Sequence, residues 1–204
     1  LGTHYPQGGF YKLVEAMESI ALEAGAQFHY NACAEKIKSE EKRVKSITVN
    51  GEELEFDAVI GSSDYHHTES LLEDTHAKNY SESYWEKKTF APSCLIYYLG
   101  FNEKIPNLKH HTLFFEHDLD VHIDAIYKDK KWPEEPLFYA CCPSKTDPST
   151  APEGKENLFL LMPLATGIED HESYREEYLN RMLRRVEKLT GMKDLHTKIE
   201  YKRS

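Results

Sequence analysis

The chain has 204 residues, a net charge of −10, 40% hydrophobic and 29% charged residues, which leaves room for one large domain or two small ones. That balance excludes a disordered tail. The acidic surplus excludes both the clustered Lys/Arg footprint of a nucleic-acid partner and a polybasic membrane anchor, and the longest apolar stretch, Cys94 to Phe101, is far short of the ~20 residues of a membrane-spanning helix.

Phe10, Leu13, Met17, Ile20, Ala21 and Ala24 recur at helical spacing. They predict a helix from Phe10 to Ala24, entered after Gly9 and stopped at Gly25. Gln27–Tyr30 and Ala34–Ser39 read as strands. Val44–Val49 and Glu53–Phe56 flank Asn50-Gly51, the strongest hairpin signal in the chain. Ala58–Gly61 is apolar without alternation, as expected of a strand buried on both faces.

After Asp64, which suits the cap of a helix reaching about Leu72, the character changes. Ala77–Lys88 is polar and reads as helix plus loop. Strands are predicted at Ser93–Phe101, Thr112–Phe115, Leu137–Cys142 and Leu158–Pro163, with a short helix at Asp120–Tyr127. Glu172–Leu189 places Tyr174, Tyr178, Leu179, Met182, Leu183, Val186 and Leu189 on one helical face. Thr197–Tyr201 begins another strand. The fold class is α+β (mixed α/β), with helices covering one face of a mixed sheet and a boundary near Ser63.

Few constellations carry chemistry. His117, Asp118, Asp120 and His122, flanked by Glu116 and Asp124, could offer ligands to a metal, but helix capping by Asp118 or Asp120 explains the run as well. The adjacent pairs His66-His67 and His110-His111 cannot both face one ion from regular structure, and no metal site is expected. Cys33, Cys94, Cys141 and Cys142 form no C-x-x-C, so buried free thiols in a reducing cytoplasm are the expectation. No G-x-S-x-G elbow supports hydrolysis. Gly8-Gly9 permits a close backbone approach to a ligand or a tight turn, and the residues favour neither. The chain opens at Leu1 without Met and holds no G-x-G-x-x-G phosphate loop. It reads as the inner part of a nucleotide-binding domain, hence as a piece of a larger protein.

Several segments, in order, resemble the phytoene (carotenoid) desaturase family of amine-oxidase-like flavoproteins. They are Tyr5-Pro6-Gln7-Gly8-Gly9-Phe10-Tyr11-Lys12-Leu13; Gly25-Ala26 with Asn31-Ala32 and Ile37; Asp57-Ala58-Val59-Ile60-Gly61-Ser62-Ser63-Asp64; Ser93-Cys94 with Tyr98-Leu99-Gly100; His110-His111-Thr112-Leu113; and the Asp147–Gly154 loop. Ser62-Ser63 stand where Asn-Ala is usual. The resemblance implies a split Rossmann-type FAD domain, with residues 1–63 its middle segment and 64–204 most of a substrate domain. It implies FAD as cofactor of the whole protein, with Ala34 near the adenine and Gly8 and Gly9 near the domain junction. It implies dehydrogenation of phytoene or a related carotene, with no catalytic residue mapping onto this stretch. Tyr97, Leu99, Phe114, Phe138 and Leu160, with Leu95 and Leu158, would line an apolar tunnel for the polyene or else form plain core. A carotene must be fetched from lipid, so a cytoplasmic protein meeting the membrane surface through an apolar patch is expected. A sister carotenoid oxygenase, ketolase or saturase, or a non-catalytic isoprenoid-binding module, is the alternative.

Overall fold

A computed structural model describes residues 4–41 and 43–204. The chain divides into two compact units: one of residues 1–21 and 90–204, the other of residues 22–89. This division does not run at Ser63. The early helix belongs largely with the later strands.

The smaller unit is a meander of β1 (Ala34–Glu40), β2 (Arg43–Val49) and β3 (Glu52–Glu55), paired antiparallel in that order. Asn50 (φ 49°) and Gly51 (φ 83°) both take left-handed backbone. That conformation matches the twist of the flanking strands and is the reason an Asn-Gly pair marks a hairpin. Val49 pairs with Glu52 across it. The helix α2 (Tyr65–Ser70) starts where Asp64 accepts a hydrogen bond from the His67 N–H, and α3 (Glu82–Trp85) follows.

Gln27–Tyr30 and Ala58–Gly61 are not strands. A strand needs a neighbour for its backbone N–H and C=O groups. None of the described strands pairs with either segment, and Ile60 stands 94% exposed.

The larger unit begins with a turn at Pro6–Gly9 and α1 (Tyr11–Glu23). It continues through β4 (Ser93–Phe101), β5 (His111–Phe114), α4 (Leu119–Tyr127), β6 (Phe138–Cys141), β7 (Glu156–Leu164), α5 (Glu172–Thr190) and β8 (Ile199–Arg203). The five strands form one sheet in the order β5-β6-β7-β4-β8. Every pairing in it is antiparallel, so the expected mixed sheet is corrected to an antiparallel one. Strands of a mixed sheet that run parallel need long crossovers; here the central pair β4/β7 runs in register from Ser93↔Leu164 to Phe101↔Glu156 with opposed directions.

Alternation sorts the side chains of this sheet to two faces. Leu95, Tyr97, Leu99 and Phe101 of β4 face the same way as Leu158, Leu160 and Met162 of β7 and Phe138 and Ala140 of β6. Together they form the core with Tyr178, Leu179, Met182, Leu183 and Val186 of α5. The helix ends at Gly191 (φ 75°), whose N–H bonds the Glu187 carbonyl, as a left-handed C-terminal residue does. Of the predicted helical face, Tyr174 and Leu189 stay exposed at its ends.

Two buried polar arrangements tie the loops to this core. His122 of α4 is buried, accepts the Leu137 N–H at its Nδ1 (2.8 Å) and donates from Nε2 to the Pro163 carbonyl (3.0 Å). β6 pairs only as far as Leu161 on β7. Pro163, which lacks an N–H, therefore sits where no strand would need one, and His122 takes its carbonyl. Asp118 caps the same helix through the Asp120 N–H, so the His117–His122 run is explained by capping and a buried bridge. Glu156, also buried, accepts from Ser144 Oγ (2.5 Å) and the Ile105 N–H (3.2 Å) and pairs with Lys145 (2.5 Å).

The expectation of buried thiols is corrected for two cysteines: Cys33 and Cys94 are exposed, Cys141 is intermediate and Cys142 is buried. Cys33 precedes β1 and Cys94 points away from the core on β4. Burial drives the Cys142 thiol up to about 12.

Candidate functional site

The sheet face opposite α5 carries the other half of the alternation. Across the strands it reads His111, then Cys141, then Phe159, then Tyr98, each directly opposite the next. A cavity of about 610 Å³ lies on this face, bordered by Phe10, Tyr98, Tyr139, Cys141, Phe159 and Tyr201 among others. Tyr98 packs on Phe159 (ring centroids 5.4 Å) and Phe159 on Tyr139 (6.1 Å). The floor is a row of rings with phenol groups, suited to an extended apolar ligand because aromatic faces supply area without charge.

A polar cluster adjoins Tyr139 and Cys141 of this face. Tyr139 Oη and His111 Nδ1 are 2.6 Å apart, and His110 Nδ1 and Thr146 Oγ1 2.8 Å. The two imidazoles lie 4.3 Å apart, and Tyr5 meets His110 edge-on at 4.8 Å. The premise that an adjacent His pair must diverge holds only within regular structure. Here β5 starts at His111, and His110 lies before it, its carbonyl held by the Cys142 N–H at 2.8 Å. Burial and the neighbouring His111 hold His110 below the usual imidazole range. Burial raises Cys141, partly offset by a hydrogen bond with Tyr139. Burial, then the charge on Asp147, then Cys141 raise the Tyr5 phenol.

The turn entering α1 is tied to the Asp147–Gly154 loop. Asp147 Oδ2 accepts the Gly8 N–H at 2.5 Å, while Oδ1 accepts from the Ser149 N–H and hydroxyl. The Ser149 hydroxyl and then the Gly8 N–H hold the Asp147 carboxyl below its ordinary range. The Asp147–Gly154 loop is thus more than a link between strands.

Gly8 and Gly9 have φ of 85° and 93°, a region L residues rarely enter. A Cβ on Gly8 would meet the Lys12 side chain at 3.0 Å, whereas one on Gly9 would meet only Tyr5 Oη at 3.7 Å. Both N–H groups are engaged within the chain, Gly8 by Asp147 and Gly9 by the Pro6 carbonyl. The tight-turn reading therefore has its geometry. Ala34 lies exposed at the start of β1 in the smaller unit, opposite Val49.

Tyr97, Leu99, Phe114, Phe138 and Leu160 are all buried in the core. Tyr97 donates to the Arg175 carbonyl of α5, and Phe138 stacks on Phe114. Of the five only Leu99 also borders the cavity. Their alternate neighbours Tyr98, Tyr139 and Phe159 make the aromatic row. Alternation in the sequence signals two faces, but the choice of the covered one rests on where α5 docks. The Cys141–His111 adjacency was equally hidden, because it depends on the register of β5 against β6.

The residues present do not by themselves form a flavin site. The two glycine N–H groups are occupied, and no glycine-rich phosphate loop occurs in the sequence.

Comparison with known proteins gives the context. Over 203 residues the chain is 37% identical to a carotenoid 3,4-desaturase of Haloarcula japonica, covering 100% of this chain and 41% of that protein. It is 35% identical to a zeta-carotene-forming phytoene desaturase of Myxococcus xanthus over 80% of this chain and 31% of the relative. The chain thus spans about two fifths or less of these relatives' length. An oxidoreductase structure from Methanosarcina mazei shares the fold with a TM-score of 0.68 at 16% identity, covering 97% of this chain and 42% of that one. A reduced UDP-galactopyranose mutase does so at 0.59 and 18%, over 98% and 39%. Residues 2–203 match the flavin containing amine oxidoreductase family, and the chain belongs to that family.

Proposed function

We propose that this chain is the sheet-bearing part of an FAD-dependent carotenoid desaturase, and that the cavity on the outward sheet face seats the polyene. The observation that carries the reading is the Tyr98–Phe159–Tyr139 row flooring an apolar cavity, in a chain 37% identical to a protein named a carotenoid 3,4-desaturase. When bound in the whole protein, FAD supplies the hydride acceptor for dehydrogenation. The chain's own contribution is to hold the polyene against an aromatic floor, exclude water and keep a polar cluster beside it.

In this reading residues 1–63 serve the FAD domain and 64–204 the substrate domain. Gly8, Gly9 and Ala34 lie at the cofactor's edge. Tyr97, Leu99, Phe114, Phe138 and Leu160 support the cavity floor from beneath, with Leu99 reaching its border. The substrate comes from lipid. Among the described residues no helix is long and apolar enough to cross a membrane, and with a charge of −10 contact with a bilayer would be apolar, at the cytoplasmic surface.

The test uses the full-length protein carrying this chain, loaded with FAD and given phytoene in liposomes with an electron acceptor. A red-shifted polyene product is expected. Bound flavin without conversion would move the protein to a sister reaction, a reading favoured by its 29% identity to a 4,4'-diapolycopene oxygenase of Methylomonas. A full-length protein that binds no flavin would refute the oxidoreductase reading. Co-sedimentation with neutral-lipid vesicles checks the membrane contact.

A further inference from the structure

We propose that His110, His111 and Cys141 form a metal site of the His2Cys type that takes Zn(II). Three independent features lead there. First, the strand register sets His111 directly opposite Cys141, and the Cys142 N–H bond to the His110 carbonyl brings the second imidazole alongside. One nitrogen of each ring and the Cys141 sulfur lie within 4.8 Å of one another.

Second, each ring is already oriented through its Nδ1. Thr146 Oγ1 stands 2.8 Å from His110 Nδ1, and Tyr139 Oη stands 2.6 Å from His111 Nδ1. Ligating imidazoles are held in this way, one nitrogen on a hydrogen-bond partner and the other on the ion. With each Nδ1 so engaged, Nε2 is the nitrogen left on each ring for an ion.

Third, His110 Nε2 is buried and, among the described residues, has no hydrogen-bond partner. A buried polar atom without a partner costs free energy and calls for an explanation such as an ion. An ion between Nε2 and the sulfur supplies it.

The donor set selects the metal. Two imidazoles and one thiolate suit a borderline-soft ion, and Zn–N and Zn–S bonds of roughly 2.0 and 2.3 Å put tetrahedral ligand atoms about 3.4 Å apart. From separations of up to 4.8 Å, the cluster would tighten by up to about 1.4 Å through side-chain rotation to reach that spacing. Three protein ligands leave a fourth position open. Asp147 does not compete for the ion, because both its oxygens already accept hydrogen bonds from Gly8 and Ser149. On binding, the Cys141 S–H bond breaks, an S–Zn bond forms and the proton passes to solvent.

The experiment is titration of the purified chain with Co(II) as spectroscopic probe, followed by displacement with Zn(II). The expected result is a thiolate-to-cobalt charge-transfer band that saturates at one ion per chain and is abolished by Zn(II). In Cys141→Ser the band should vanish, and in His110→Gln affinity should fall at least tenfold. Cys33→Ser, an exposed thiol elsewhere, should change nothing. Circular dichroism of each variant separates loss of metal from loss of fold. As a readout on the unaltered chain, Zn(II) should slow alkylation of Cys141 but not of Cys33. Absence of the band in the folded chain, or an unchanged band in Cys141→Ser, would overturn the proposal.

Discussion

The two faces of the five-stranded sheet make opposite demands, and a pair of substitutions one strand apart tells them apart. Leu160 is fully buried beneath α5. Leu160→Ala removes three carbons from that packing and should cost about 3 kcal/mol, which for a domain of this size lowers the melting midpoint by roughly 6–12 °C. Tyr98 is 51% exposed on the cavity face and leans on Phe159. Tyr98→Ala gives up half a ring's contact, about 1 kcal/mol of stability at most. It removes part of the proposed polyene floor, and a lost aromatic contact of about 1–2 kcal/mol raises the apparent KM of the flavin-loaded full-length protein roughly 5–30-fold. Thermal melting followed by circular dichroism, with initial rates against polyene concentration, reads both quantities. If Leu160→Ala raised KM at an unchanged midpoint while Tyr98→Ala left KM alone, the assignment of the faces would be refuted.

Other outcomes follow from the buried polar groups. His122→Ala leaves the Leu137 N–H and the Pro163 carbonyl without their partner; the loss should be about 3 kcal/mol, seen as a lower urea midpoint. Replacing Glu156 by Gln removes the charge that Lys145 faces while keeping the shape. A buried pair broken from one side costs about 3 kcal/mol, and Glu156→Gln should therefore lower the midpoint by a similar amount. Acid should act through the same groups. Burial alone would raise Glu156, but Lys145, Ser144 and the Ile105 N–H outweigh it, and Arg185 foremost lowers Glu116. Both carboxyls are thus depressed in the folded chain, so their stabilisation is present above the ordinary glutamate value of 4.5 and fades as pH falls below it. Urea midpoints that stayed flat from pH 6 to pH 4 would contradict this. Gly51→Ala forces a Cβ onto a φ of 83° and should cost about 1 kcal/mol of hairpin stability, read by hydrogen exchange of β2 and β3.

Much of the architecture was legible because it is written in local periodicity. The seven-residue apolar face of α5, the long apolar run of β4 and the Asn50-Gly51 turn each specify their element from a few neighbouring residues, whatever surrounds them. The cap at Asp64 is of the same kind, since its side chain accepts from the N–H of His67, three residues on. Ala58–Gly61 misled for the converse reason: an apolar run becomes a strand only with a neighbour to bond, and that neighbour is not a local property.

The candidate site belongs to the second kind. The sequence alone carried the ordered motifs of a flavoprotein family and the strands at β4 and β7. It did not say which side of the sheet α5 would cover, so Tyr97 and Tyr98 were interchangeable until the helix docked on one of them. Nor did it bring His110, His111 and Cys141 together, thirty residues apart in the chain. That required the antiparallel pairing of β5 with β6 and a strand that starts one residue after the first histidine. Periodicity is fixed by backbone geometry within a few residues; register and the choice of face are set only when separate elements bury their surfaces against each other.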